Sequence, residues 1–149
     1  MDEGSDKALQ VLLVEDSPGD VRLTREAFRA ANSSIQLHVT ADGPEAMAFL
    51  RREGEYASAP RPDLILLDLN LPKMDGREVL AKIKASEDLR TIPTVILSTS
   101  TDQMDIALSY QLLANCFLSK PVQLDQFESL VSSINDFWLT KVQLPQSAA

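Results

Sequence analysis

Short apolar runs alternate with amphipathic segments along this chain. The runs are "VLLV", "IQLHV", "LILL", "TVIL" and "CFL", at residues 11–14, 35–39, 64–67, 94–97 and 116–118. Three of them are continuously apolar, which is typical of central parallel strands that are covered on both faces. The segments that follow have the character of helices, so the pattern predicts five strand–helix pairs. We therefore expect an α/β fold built on a doubly wound, five-stranded parallel sheet.

Capping and turn residues indicate where the helices begin and end. Ser17 and Gly43 each precede a proline, and this order favours a helix start with the first residue as the cap. Ser100 or Thr101 is expected to cap the fourth helix, and Gly54 is expected to end the second. These signals place helices directly after the strands, as the doubly wound architecture requires.

Length and composition are those of one ordinary globular domain. We interpret residues 10–142 as that domain, with flexible ends at residues 1–9 and 143–149. No apolar run approaches the roughly 18 residues that a membrane-spanning helix needs. The first ten residues are acidic and polar, unlike a secretory signal, and the lone Cys116 cannot form an internal disulfide. A cytoplasmic protein is the expectation.

Charge narrows the class of binding partner. The formal net charge is -8, and no cluster of lysine and arginine suits a nucleic-acid backbone. We expect no nucleic-acid ligand and no membrane contact, which leaves another protein as the partner.

Polar side chains follow four of the predicted strands, at the edge where doubly wound sheets bind their ligands. They are Glu15 and Asp16 after the first strand, Asp68 after the third, Ser98 after the fourth and Lys120 after the fifth. Three adjacent carboxylates repel one another unless a cation lies among them, and an open set of oxygen ligands suits Mg²⁺. The sequence therefore predicts a Mg²⁺ site in which the metal and Lys120 neutralise Asp68.

Each of these residues also has a simpler interpretation. Glu15 and Asp16 could interact with a helix N-terminus, Ser98 could be a helix cap, and Lys120 could be a solvated charge. Their joint placement at four strand ends favours a site. His38 lies inside a strand and is interpreted as a structural or surface histidine.

The motifs "LLVEDS", "LILLDLNLPKMDG", "VILST" and "FLSKP" resemble the receiver domain of two-component response regulators, from about residue 11 to residue 139. The resemblance implies a flavodoxin-like sheet with strand order 2-1-3-4-5. It also implies that Asp68 is the phosphoacceptor and that a cis peptide bond joins Lys120 to Pro121. The resemblance further implies that Asp16, Asp68 and the main-chain carbonyl of Asn70 bind the metal, and that Glu15 holds a metal-bound water. It also implies that Lys120 binds the phosphoryl group, and that Ser98 and Phe117 are the switch hydroxyl and the switch aromatic.

A narrower resemblance lies in "RREGEYASAPRPDLILLDLNLPKMDGREVLAKIK" and "INDFWLTKVQLP", which look like the stand-alone regulators of cyanobacterial and bacterial phytochromes. It implies a phytochrome histidine kinase as the phosphodonor. The downstream partner is not indicated. The predicted fourth and fifth helices carry more apolar surface than one sheet face can cover, so we expect a homodimer through the fourth helix, fifth strand and fifth helix.

Two other classes of protein share parts of this pattern. A flavodoxin-like cofactor binder would need a first loop that cradles phosphate, and "EDSPGD" would repel one. A phosphohydrolase of the haloacid dehalogenase type also forms an aspartyl phosphate. Its motif is Asp-x-Asp, in which the second aspartate is the acid/base, and this chain has Asn70 at that position. Because an amide cannot transfer the proton, a phosphohydrolase is the alternative and not the main hypothesis.

Overall fold

Five parallel strands and three α-helices make up the part of the chain that the computed structural model describes, which is residues 9–30, 35–98 and 116–119. The strands are β1 (Leu9–Val14), β2 (Ile35–Thr40), β3 (Leu64–Leu67), β4 (Thr94–Ser98) and β5 (Cys116–Ser119). The helices are α1 (Pro18–Ala30), α2 (Gly43–Arg51) and α3 (Gly76–Ala85), and a short 3-10 helix spans Gly54–Tyr56. The predicted fourth and fifth helices and both chain ends lie outside these ranges.

The strands are hydrogen-bonded in the order β2-β1-β3-β4-β5, and every pairing is parallel. This confirms the predicted strand order and fold class. The apolar runs were placed correctly, and each boundary extends by at most two residues. β1 begins at Leu9, which the sequence assigned to the flexible N-terminus.

Helices cover both faces of the sheet, as a doubly wound fold requires. On one face, Val11 and Leu13 of β1 pack with Ala27 and Phe28 of α1. On the other face, the alternate residues of β1 pack with α2 and α3 in a larger cluster that includes Leu12, Val14, Phe49, Leu80 and Ile83. All four residues of β3 are fully buried, which explains why that strand reads as an unbroken apolar run. No helix in the described residues is both long and apolar enough to cross a membrane.

Side-chain caps fix the starts of the helices. The Ser17 hydroxyl accepts a hydrogen bond from the Asp20 N–H at 3.3 Å, as expected for the cap of α1. The cap of α2 is Asp42 and not Gly43, so that prediction was wrong by one residue. Asp42 Oδ1 accepts the Glu45 N–H at 2.8 Å, whereas glycine has no side chain to do so.

The end of α2 also differs from the prediction that Gly54 would stop it. Arg52 follows the last helical residue and has a left-handed backbone with φ 57°. Its N–H donates to the Phe49 carbonyl at 3.2 Å, and the Glu53 N–H donates to the Ala48 carbonyl at 2.9 Å. These two bonds form a Schellman motif, in which the left-handed position is usually glycine. Gly54 instead begins the 3-10 helix, with φ 59°.

The edge strand β2 is joined to α2 through tilted aromatic contacts. The ring of His38 lies 5.4 Å from that of Phe49, which lies 5.3 Å from that of Tyr56. His38 Nε2 is within 2.6 Å of Gln10 Oε1, and partial burial lowers the pKa of the imidazole. Burial and a hydrogen bond donated to Glu45 raise the pKa of Tyr56. His38 therefore has the structural role that its position in a strand predicted.

The start of α3 packs directly against the end of β3. A Cβ atom added to Gly76 would lie 2.3 Å from the Asp68 carbonyl oxygen and 2.5 Å from the Leu69 Cα. The Gly76 N–H also donates to the Leu69 carbonyl at 2.9 Å. Both obstacles are backbone atoms, so no side-chain rotation could relieve the overlap. Only glycine fits at this position without displacing the segment that carries Asp68.

We predict that Arg52→Gly stabilises the protein by about 1 kcal/mol, because a left-handed backbone is strained in residues that have a Cβ atom. Equilibrium urea unfolding measures this change. The matched control is Arg51→Gly, which lies one residue earlier in helical conformation and should lower the unfolding free energy by roughly 0.5–1 kcal/mol. Equal effects of the two substitutions would show that the left-handed conformation has no energetic consequence.

We predict that Gly76→Ala lowers the unfolding free energy by about 1–3 kcal/mol, because the new methyl group must displace backbone atoms of Asp68 and Leu69. Gly19→Ala is the control, since its Cβ would meet nothing closer than the Ser17 hydroxyl at 3.9 Å. Thermal unfolding of both variants tests this. A Gly76→Ala protein as stable as wild type would contradict the close approach.

Candidate functional site

Three carboxylates meet at the carboxyl edge of the sheet. One oxygen of Glu15, one of Asp16 and one of Asp68 lie within 4.8 Å of one another. Glu15 is 3% exposed and Asp68 is 7% exposed, whereas Asp16 is open to solvent. The structure thus brings together the three acids that the sequence selected from two separate strand ends.

The backbone of this acidic cluster is fixed by continuation of the sheet. The Glu15 N–H donates to the Thr40 carbonyl at 2.9 Å, one step beyond the last residue of β1. The Asp68 N–H donates to the Val14 carbonyl at 3.1 Å, one step beyond β3. Because the hydrogen-bonded ladder extends past both strands, the carboxylates are held on rigid backbone instead of a free loop.

Main-chain N–H groups orient two of the carboxylates. Glu15 Oε2 accepts the Ser17 N–H at 3.2 Å, at the start of α1. Asp68 Oδ1 accepts the Asn70 N–H at 2.9 Å. Both bonds fix the direction in which the carboxylate points.

The donor set fits a hard divalent cation. Mg²⁺ binds oxygen at about 2.0–2.1 Å, so two ligands on opposite sides of it lie roughly 4.2 Å apart. The three oxygens lie within 4.8 Å of one another, a spacing that is compatible with a single such ion among them. No sulfur or imidazole lies in the cluster, which also favours an oxygen-binding metal.

The loop after β3 is joined to the start of α2. Lys73 Nζ lies 3.3 Å from Asp42 Oδ2, and Lys73 has a left-handed backbone with φ 68°. Asp42 therefore caps α2 and pairs with the loop that follows Asp68. Sequence reasoning missed this link. The Asp42-x-x-Glu45 spacing is a capping signature that could have located the cap, but the pairing with Lys73 has no sequence signal.

The other site residues lie at the same edge of the sheet or outside the described part. Ser98 is the last residue of β4 and is opposite Ser119 of β5, so both strands end together. Phe117 is opposite Ile96 in the same register. Lys120 follows Ser119 directly, but Lys120, Pro121 and the bond that joins them lie outside the described residues. Asn70 is exposed beside Asp68.

Comparison with known proteins identifies close relatives. The family model of the response regulator receiver domain matches residues 11–132. Response regulator Rcp1 of Synechocystis sp. is 48% identical over 145 residues, which is 97% of this chain and 99% of that protein. The probable methanogenesis regulatory protein FilR2 of Methanothrix harundinacea is 41% identical over 130 residues, 87% of this chain and 83% of that protein.

Solved structures agree with the sequence relatives. The phosphorylated cyanobacterial phytochrome response regulator RcpA has a TM-score of 0.90 at 50% identity, covering 94% of this chain and 100% of that one. The Mn²⁺-bound form of Rcp1 has a TM-score of 0.87 at 49% identity, covering 93% and 99%. Neither the phosphohydrolase nor the flavodoxin-like cofactor binder finds support in these relatives. The chain belongs to the response regulator receiver domain family, and among its relatives are phytochrome response regulators.

Proposed function

We propose that this protein accepts a phosphoryl group on Asp68 from the phosphohistidine of a histidine kinase and signals through altered protein contacts. The observation that carries the proposal is the geometry of the acidic cluster. A nearly buried carboxylate stands at the end of a fully buried strand, with two further carboxylate oxygens within 4.8 Å. Cations reduce the repulsion among such closely spaced negative charges, and a phosphoryl group needs the same cations.

The proposed phosphoryl transfer to Asp68 is a displacement at phosphorus. A carboxylate oxygen of Asp68 forms the new P–O bond while the P–N bond to the kinase imidazole breaks. The electron pair of that bond stays on the imidazole nitrogen. Rigid backbone at both ends of the site keeps the attacking oxygen in position.

We propose Mg²⁺ as the metal, with Asp16, Asp68 and the main-chain carbonyl of Asn70 as ligands and Glu15 holding a metal-bound water. Glu15 is the more buried acid and is already oriented by the Ser17 N–H, which suits an indirect role. Exposed Asp16 can adjust its side chain to meet an ion. When bound, the metal neutralises the carboxylates and offsets charge on the phosphoryl oxygens.

Lys120, Ser98 and Phe117 complete the proposed site. β4 and β5 end in register at Ser98 and Ser119, at the same edge of the sheet as Asp68. Lys120 would bind one phosphoryl oxygen as a point charge, and the Ser98 hydroxyl would bind another. Movement of Ser98 would then change the packing of Phe117 on the neighbouring strand and alter the signalling surface.

The kinase partner is proposed from the relatives. Two solved relatives, at 50% and 37% identity, are described as phytochrome or bacteriophytochrome response regulators. On this basis we propose a phytochrome histidine kinase as the phosphodonor and the cytoplasm as the location. Phosphotransfer from a panel of purified histidine kinases that includes a phytochrome distinguishes this partner from the others.

We predict that Asp68→Asn abolishes phosphorylation by a cognate kinase or by acetyl phosphate. The wild type should take up about one phosphoryl group and then stall, whereas a phosphohydrolase would release phosphate continuously. Asp16→Asn, or chelation with EDTA, should slow the reaction through lost metal binding. Glu78→Gln is the matched control, since Glu78 is exposed on α3. An acid-labile phosphoryl group located by mass spectrometry on any other residue would overturn the assignment.

We also predict a homodimer that phosphorylation tightens, formed through the predicted fourth helix, β5 and the predicted fifth helix. Surplus apolar residues such as Tyr110 and Phe137 motivate it, and both lie outside the described residues. Sedimentation at micromolar concentration should show a dimer, which Phe137→Glu weakens. A phosphorylated protein that stays monomeric at high concentration would assign this surface to a different partner.

A further inference from the structure

A second polar site lies at the opposite edge of the sheet. A cleft of about 230 Å³ opens between the end of α2, the segment before β3 and the turn after α3. We call it the arginine cleft, and its main lining residues are Leu50, Arg51, Arg52, Arg61, Asp88 and Leu89. Three arginines therefore line one small cleft in a protein whose net charge is -8.

Arg61 is anchored by groups within this region. Its guanidinium donates to the Asp88 carbonyl at 2.9 Å and to the Thr91 hydroxyl at 3.0 Å. It also lies 3.5 Å from the Asp88 carboxylate, and its side chain is 14% exposed. Arg61 is thus a fixed, preorganised cation, and Asp88 offsets only one of the three charges.

Arg51 and Arg52 add two further positive charges to the lining of the cleft. Within the described residues, neither guanidinium forms an ion pair or a side-chain hydrogen bond. With Arg61 paired to Asp88, two positive charges remain at the rim of the cleft. Two cations that hold no anion, beside a third that is held rigid, have the arrangement of a receptor for negative charge.

The backbone of Arg52 is a separate indication. It keeps the left-handed conformation with φ 57° where a Schellman motif favours glycine, and Gly54 is only two residues away. Strain of this kind commonly persists where the side chain has a function. An arginine retained at this position places a cation at the rim that glycine could not supply.

The size and charge of the cleft select the class of ligand. Clefts that hold nucleotide- or drug-sized ligands usually measure about 300–1,000 Å³, so this one fits side chains better than a whole cofactor. Asp88 at its rim disfavours a doubly charged phosphate more than a singly charged carboxylate. Leu50 and Leu89 line the cleft as well and offer contacts to methylene groups. We propose that the arginine cleft binds the carboxylate side chains of an acidic peptide segment in a partner protein.

The arginine cleft is well separated from the acidic cluster. Pro62 lines the cleft just before β3, and Asp68 follows that strand, so the two sites are roughly 20 Å apart along an extended backbone. At physiological salt, charges this far apart are screened from each other, because the Debye length is about 8 Å. An acidic segment can therefore bind while Asp68 remains accessible, and the proposal does not depend on phosphoryl chemistry.

Fluorescence anisotropy with a labelled hexaglutamate peptide tests this proposal at 0.15 M salt, with hexaglutamine as the uncharged probe. Arg52→Gly and Arg51→Gln should each weaken hexaglutamate binding by about two- to fivefold, as expected for loss of one partly screened charge pair. Since Arg52→Gly is expected to stabilise the fold, its loss of binding cannot come from unfolding. Arg22→Gln removes the same charge from an exposed position on α1 and should leave binding unchanged.

Each outcome decides the proposal. Binding that is weakened in the cleft variants but unchanged in Arg22→Gln and Asp68→Asn supports the proposal, and the Asp68 variant separates it from the proposed phosphotransfer. Equal weakening by Arg22→Gln would show only diffuse attraction and overturn the proposal. The same follows if wild type does not distinguish hexaglutamate from hexaglutamine, or if inorganic phosphate at low millimolar concentration displaces the peptide completely.

Discussion

Mutual repulsion among three carboxylates is the constraint on which the site depends. Like charges about 4 Å apart repel by roughly 4 kcal/mol at an effective dielectric constant of 20, and Glu15 and Asp68 are too buried for water to screen them fully. The extended sheet ladder and the N–H donors of Ser17 and Asn70 hold these groups in place regardless. The folded protein therefore attracts cations to the carboxyl edge of its sheet. Any charged group that binds at that edge therefore changes the repulsion among the three carboxylates.

Much of the fold could be predicted from sequence because the strands are buried on both faces. A short run such as residues 64–67, with helical segments on both sides of it, is typical of a central parallel strand, whereas a half-exposed strand would alternate with polar residues. Ligands of doubly wound sheets bind at the carboxyl ends of the strands, and this rule predicts that Glu15, Asp16 and Asp68 lie in one site. The structure places the three at the same edge, within 4.8 Å.

The details that the sequence misplaced depend on local competition or on distant contacts. Asp42 caps α2 because a carboxylate accepts an N–H and Gly43 cannot, and the prediction gave the adjacent proline too much weight. The helix ends at Arg52 because two carbonyls are satisfied there, and a left-handed arginine is an exception to residue preference. The ion pair of Lys73 with Asp42 joins residues 31 positions apart. No periodicity or spacing encodes such a contact, so only the folded arrangement reveals it.

The contact between Gly76 and the carbonyl oxygen of Asp68 limits how this protein can vary. Glycine alone lacks a Cβ atom, so every amino-acid substitution at position 76 inserts at least one carbon into space held by the main chain. Nearby loop positions such as the exposed Pro72 can accept other residues, because their side chains face solvent. No substitution at position 76 is therefore expected to leave the stability of the protein unchanged. Divergence of the loop after β3 must therefore proceed around this glycine.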